Sequence, residues 1–105
     1  LKLAVDIYKL TFTFPKEETY GMTSQIRRAA NSSTANIAEG VCRFSEKEKG
    51  RFIEISFGSQ MEVASFLFMA TELGYITKEQ LNEIKPKILE LSNKTNAFHK
   101  SLNLA

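Results

Sequence analysis

The stretch Thr77–Leu102, TKEQLNEIKPKILELSNKTNAFHKSL, decides the fold class. Leu81, Ile84, Ile88, Leu91, Thr95, Phe98 and Leu102 recur at alternating steps of three and four, which lays one apolar seam along a helix of a left-handed bundle. Thr77 and Gln80 carry the reciprocal capping pattern that starts such a helix. Pro86 falls inside the run. Because proline lacks a backbone donor and crowds the preceding turn, a kink or break is predicted near residues 83–85.

Upstream, Ser45-Glu46-Lys47-Glu48 repeats the capping pattern, and the helix it opens runs to Leu73-Gly74, leaving Tyr75-Ile76 as the linker. Before it, Met22, Ile26, Ala29, Ala30, Ser33, Ile37 and Gly40 form a stripe of mostly small residues that admits a close neighbour, with Gly40 placed as a left-handed cap. Leu3, Ile7, Leu10 and Phe14 mark a first helix, stopped by Pro15, which also suits the opening turn of the next one. Short loops force successive helices to run antiparallel. The expected fold is all-α, an antiparallel up-and-down four-helix bundle forming one domain over residues 1–105.

Composition agrees: 105 residues, 43% hydrophobic and 25% charged, fit one globular domain. Fourteen basic against twelve acidic residues leave a net charge of +2, so an argument for nucleic acid must rest on where the charges sit. Cys42 is the single cysteine, which excludes an internal disulfide and a cysteine-rich zinc site within one chain. The apolar runs are far shorter than the roughly 20 residues of a membrane span. The amino end, Leu1-Lys2-Leu3-Ala4-Val5-Asp6, places an acid where a signal peptide is apolar. A reducing, cytoplasmic location is expected.

The helix after Ser45 carries two apolar faces. Phe52, Ile55, Ser59, Val63, Phe66, Ala70 and Leu73 share the sector expected to face the interior. Ile53, Phe57, Met61, Ala64 and Phe68 share another, roughly 140° away at 100° per residue. Left wet, such side chains would each forgo on the order of 1.5–3 kcal/mol. They are the candidate surface for self-association, the other reading being a broad core that wraps this helix. Asn36 and Glu62 lie at the edges of the two core stripes as a candidate structural polar layer, a catalytic carboxylate being the alternative. Glu39 suits a salt bridge to a nearby arginine or a contact between subunits.

No phosphate-binding glycine loop or nucleophile elbow occurs, and the residue three before His99 is Asn96 rather than the glutamate of a carboxylate-bridged metal site. No catalytic residue, metal or cofactor is therefore expected. All four arginines lie between Arg27 and Arg51. Arg27, Arg28, Arg43, Lys47 and Arg51 are the candidate phosphate contacts, against the plainer reading of a solvated helix end in which Glu46 and Glu48 alternate with lysines.

Residues 14–30, from Phe14-Pro15-Lys16-Glu17-Glu18 through Arg27-Arg28-Ala29-Ala30, with Asn36-Ile37-Ala38-Glu39-Gly40, resemble the signature of bacterial four-helix-bundle proteins encoded in intervening sequences of 23S ribosomal RNA genes. Phe57-Gly58-Ser59-Gln60-Met61-Glu62 and Leu73-Gly74-Tyr75-Ile76 resemble later segments of that family. Where the family usually shows valine and then a serine-isoleucine-proline-serine run, this chain has Asn31, Ser32, Ser33, Thr34 and Ala35, and the family's tryptophan near the start is missing. The resemblance implies a homopentamer with a basic surface. A relative, the accessory protein of diversity-generating retroelements, binds a reverse transcriptase and nucleic acid. It supplies no catalytic residues. The expected function is that of a non-enzymatic homo-oligomer associated with RNA or DNA. The alternative is a protein-interaction scaffold, for example the partner of a retroelement reverse transcriptase.

Overall fold

A computed structural model describes residues 2–104; residues 1 and 105, the ends of the expected domain, lie outside the described residues. Four α-helices follow one another: α1 (Lys2–Thr11), α2 (Met22–Val41), α3 (Glu46–Glu72) and α4 (Lys78–Ser101), with a short 3-10 turn at Lys16–Glu18 between the first two. There is no strand among the described residues. Each helix packs against its sequence neighbours and α1 closes the ring against α4, in a rod of 45 × 25 × 19 Å. The expected all-α bundle is the observed one. No helix is long and apolar enough to cross a membrane, among the residues described.

The helix ends follow local chemistry. Thr77 accepts from the Gln80 amide at 3.1 Å while the Gln80 side chain takes the Thr77 N–H at 2.8 Å, a complete capping box. Ser45 makes only the first half of its box, accepting from the Glu48 N–H at 3.0 Å. At the far end of α3, Gly74 has φ of +76°, a region that costs a residue with a Cβ. There the Tyr75 N–H reaches back to the Ala70 carbonyl and the Gly74 N–H to Thr71, the paired bonds that end a helix on a left-handed residue. α1 stops at Thr11, so Phe14 reaches the core from the connection, not from the helix as its spacing suggests. The Phe14 ring packs on Tyr75, centroids 5.5 Å apart, tying this connection to the α3–α4 turn.

Of the kink or break expected near Pro86 the break does not occur, and the cap expected at Gly40 is corrected. α4 runs unbroken through Pro86; Pro86 and Asn82, whose carbonyl the missing donor leaves unpaired, both stand on the exposed face, where water can serve it. Gly40 is no left-handed cap. It lies inside α2, and a Cβ there would come within 3.1 Å of Ile53 Cδ1 and 3.3 Å of Phe52 Cβ. Its role is to let α3 approach α2 closely.

The core comprises Leu3, Ala4 and Ile7 of α1, Ile26, Ala29 and Ala30 of α2, Val63, Leu67 and Ala70 of α3, and Ile84 and Ile88 of α4, capped by Phe14, Met22 and Ile76. The buried face of α3 is rotated by roughly 70° from the one its hydrophobic spacing predicts, at 100° per residue. Ile53, Ser56, Gln60 and Leu67 are buried, whereas Ile55 and Leu73 are exposed. Polar bonding accompanies this rotation. Ser56 Oγ donates to the Ser33 carbonyl at 2.8 Å, and Gln60 Nε2 lies 3.0 Å from Thr95 Oγ1 and 3.2 Å from Ser33 Oγ, so a buried polar layer joins α2, α3 and α4. Ser59 Oγ and Ser32 Oγ, 3.0 Å apart, extend it toward the surface.

The predicted polar layer is therefore misplaced. The Asn36 amide bonds within its own helix, donating to the Ser32 carbonyl at 2.8 Å and to Ser32 Oγ at 3.0 Å, and Glu62 is exposed. They fail to meet because the rotation of α3 that brings Gln60 inward carries Glu62 outward.

Candidate nucleic-acid interface

The α2–α3 turn gathers three of the five candidate cations. α2 ends at Val41 and α3 begins at Glu46, so Arg43, Lys47 and Arg51 share one end of the bundle. Arg43 forms an ion pair with Glu39, one turn back on α2, and its guanidinium lies 4.7 Å from the centroid of the Phe52 ring. Of the two roles expected for Glu39, the salt bridge within the chain is therefore the one observed. The pair is exposed at both ends and so contributes little to stability. It does lower the net positive charge that Arg43 brings.

Lys47 and Arg51 are exposed, and no carboxylate pairs with either among the described residues. Beside them in sequence, Phe44 is fully exposed at 103% and Val41 is more than half exposed. The Phe44 ring packs on nothing within the described chain.

The other two cations lie elsewhere. Arg28 is exposed roughly four helical turns from the end of α2, next to a shallow depression also lined by Gln25, Ser32, Ser59 and Glu62. Arg27 is already committed. Its Nε donates to Thr11 Oγ1 at 2.9 Å, and its guanidinium stacks 4.5 Å from the Tyr8 ring and 5.5 Å from the Phe12 ring. Arg27 therefore fastens α1 to α2, and its charge faces outward only in part. The sequence offered no signal for this, since Tyr8 and Thr11 are 16 or more residues away.

The residues predicted for self-association divide between the interior and the surface. Ile53 is 1% exposed and belongs to the interior, a correction that follows from the rotation of α3. Phe57 and Ala64 are half-buried, whereas Met61 and Phe68 are exposed, Phe68 at 48%. Phe68 lies under Lys85 Nζ, 5.7 Å from its ring, and Gln60 bonds Thr95. That antiparallel register places the exposed Leu89 of α4 opposite Ala64, so Met61, Phe68 and Leu89 form one apolar seam along the α3–α4 junction. The rotation also exposes Ile55, Met69 and Leu73 on the opposite margin of α3, which the spacing had assigned to the core or passed over.

At the opposite end from the α2–α3 turn, Glu18 clamps the connection. Its carboxylate accepts from the Met22 N–H at 3.1 Å and from the Tyr75 hydroxyl at 2.8 Å. The first bond, then the second, hold the Glu18 carboxyl below its ordinary value, and the same carboxylate pushes the Tyr75 phenol up. His99 meets Glu54 at 2.8 Å across α3 and α4. Among the described residues, no group of three or more His, Cys, Asp or Glu side chains could hold a metal ion, and Cys42 is free and exposed.

No curated protein matches the chain. Among solved structures, a protein of unknown function from the S23 ribosomal protein family of Bacteroides thetaiotaomicron VPI-5482 is similar, with a TM-score of 0.84 and 25% identity over 95% of this chain and 94% of that one. The family described as 23S rRNA-intervening sequence protein matches residues 1–97. That span takes in all of α1, α2 and α3, the α2–α3 turn with its exposed cations, the Glu18 clamp, and most of α4. With the bundle and this near-complete match together, the chain belongs to the 23S rRNA-intervening sequence protein family.

Proposed function

We propose that this protein is a non-enzymatic homo-oligomer that associates with RNA or DNA through a basic surface repeated on each copy. The observation that carries the reading is the α2–α3 end, where Lys47 and Arg51 are exposed and unpaired among the described residues, beside Arg43 and the solvated ring of Phe44. Cations of this kind contact phosphates, and an aromatic ring gives a base a face to stack on. Arg28 adds a contact further along α2, and Arg27 adds charge with its Nε already bonded to Thr11. The Met61, Phe68 and Leu89 seam supports the oligomer, because a second copy would remove that apolar surface from water. A pentamer is the assembly that the family resemblance suggests.

The test is fluorescence anisotropy of labelled RNA and DNA over a range of salt. Affinity should fall steeply with salt, and Lys47→Gln and Arg51→Gln should each reduce the slope by about one. No binding at low salt, or binding indifferent to salt, would refute the reading.

A second reading, a scaffold for another protein such as a reverse transcriptase, draws on the apolar character of Val41 and Phe44. A partner retained from nuclease-treated lysate and released by Phe44→Asp would favour it.

A further inference from the structure

A groove of about 440 Å³ runs along the α1–α2 face, lined chiefly by Tyr8, Tyr20, Thr23, Arg27, Arg28 and Asn31. The groove is open to solvent along its length, a surface track and not an enclosed cavity. Its lining among the described residues contains no carboxylate, so two guanidiniums set its potential.

The floor is bonded within the chain and the rim is free. Tyr8 is held from two sides, by the Arg27 guanidinium over its ring and by the Asn31 amide, which donates to its hydroxyl at 3.2 Å. That bond uses one Asn31 N–H and leaves the amide oxygen, the second N–H and the Tyr8 O–H available to a ligand. Thr23 is more than nine-tenths buried, and its hydroxyl has no partner within the described chain. On the rim, Tyr20 is 96% exposed, its ring unpacked, and Arg28 makes no ion pair among the described residues. Glu62, which shares the depression on the other side of Arg28, does not reach it.

A fixed amide and phenol, a protruding ring and an unpaired guanidinium are the complement of one unstacked nucleotide. The base stacks on Tyr20, its edge meets the amide and hydroxyl groups, and the phosphate takes Arg28. The geometry points to a site for a single nucleotide of single-stranded RNA or DNA. This deepens the nucleic-acid reading proposed above and rests on it for the source of the nucleotide, but it uses residues remote from the α2–α3 turn. A base paired within a duplex cannot offer its face to Tyr20, so the groove discriminates strandedness.

Three probes test it: a labelled ten-nucleotide single strand of mixed sequence, the same sequence as a duplex, and a free mononucleotide followed by amide chemical shifts. Tyr20→Ala should weaken the single strand about tenfold, as expected for one stacked base, and change duplex affinity less than twofold. Arg28→Gln should also weaken the single strand, whereas Arg51→Gln should weaken strand and duplex alike. Because Tyr20 is almost wholly solvated, the variant should keep its melting temperature, which verifies that any loss is local. If Tyr20→Ala leaves the single strand unaffected, or weakens both probes equally, the groove assignment is overturned while the general nucleic-acid reading stands. Binding of the duplex alone has the same consequence. Binding of the mononucleotide without either polymer would overturn both readings and leave a small-molecule site. Binding of no probe would overturn both as well.

Discussion

Gln60 is the residue on which the interior turns. Its amide nitrogen lies within bonding distance of Ser33, Ser56 and Thr95, while its buried carbonyl oxygen finds no partner. An amide has only two N–H groups for those three hydroxyls, so the layer is incompletely satisfied. Such a layer orients helices more than it stabilises them. Ser56 and Thr95 keep their own bonds to the Ser33 and Leu91 carbonyls without Gln60. Gln60→Met, which keeps the volume, should therefore lie within about 1 kcal/mol of the parent in urea denaturation. Gln60→Ala, which leaves a void among buried hydroxyls, should cost about 2–4 kcal/mol. If the two substitutions are equally damaging, the amide bonds and not the volume hold the layer. Glu18 makes a separate, pH-dependent contribution. Its carboxyl titrates below the ordinary 4.5 in the folded chain, so the unfolded state takes up protons first as pH falls. The contribution is complete above 4.5 and is lost as pH drops through the depressed value. Tyr75, raised above 10.0, contributes below that value and loses its bond as pH rises through its higher folded pKa. Denaturation midpoints of the parent and Glu18→Gln should differ near neutral pH and converge in acid; curves that stay parallel would show that Glu18 is not the titrating clamp.

At the scale of elements, the sequence was most legible where structure is local. The Thr77 and Gln80 box, the Ser45 cap and the left-handed Gly74 all appear at the positions their spacing predicts, because each is decided within a few residues. The orientation of α3 was not legible, since hydrophobic spacing counts Ser56 and Gln60 as surface. Their partners are 23 and 35 residues away, at Ser33 and Thr95. The candidate site divides along the same line. Arg43 in the α2–α3 turn and Lys47 and Arg51 in the first turns of α3 are close in the chain and could be grouped from the sequence. The loss of Arg27 to Tyr8 and Thr11, and the α1–α2 groove itself, required two helices to be docked. Pro86 shows tertiary packing overriding local propensity: α4 passes through it because Ile84, Ile88 and Ser92 are anchored on the buried side. Pro86→Ala should restore the bond to Asn82 and add about 1–3 kcal/mol, less the entropy that proline removes from the unfolded chain. A melting temperature unchanged or lowered by Pro86→Ala would mean that Pro86 serves the geometry of α4.

For the whole molecule, the proposed self-association would multiply a charge that is small in one copy. One copy has a net charge of +2, and the few unpaired cations at its α2–α3 end give a single copy little hold on a phosphate backbone. Copies joined along the Met61, Phe68 and Leu89 seam would present that end several times in a fixed arrangement, and linked weak contacts bind as a higher effective concentration. The apolar seam, which touches no phosphate, should therefore control nucleic-acid affinity. Phe68→Glu places a carboxylate in the middle of the seam on a side chain that is already half exposed, so the bundle should keep its fold while copies separate. Light scattering should give a multimer for the parent and a monomer of 11.9 kDa for the variant. Single-strand affinity at moderate salt should fall by about 10²-fold or more, well beyond the effect of Lys47→Gln, and the salt slope should shrink with it. Two results would break the link. A parent that is already a monomer removes the seam from the account, and a monomeric Phe68→Glu that binds as tightly as the parent shows that one copy carries the whole interface.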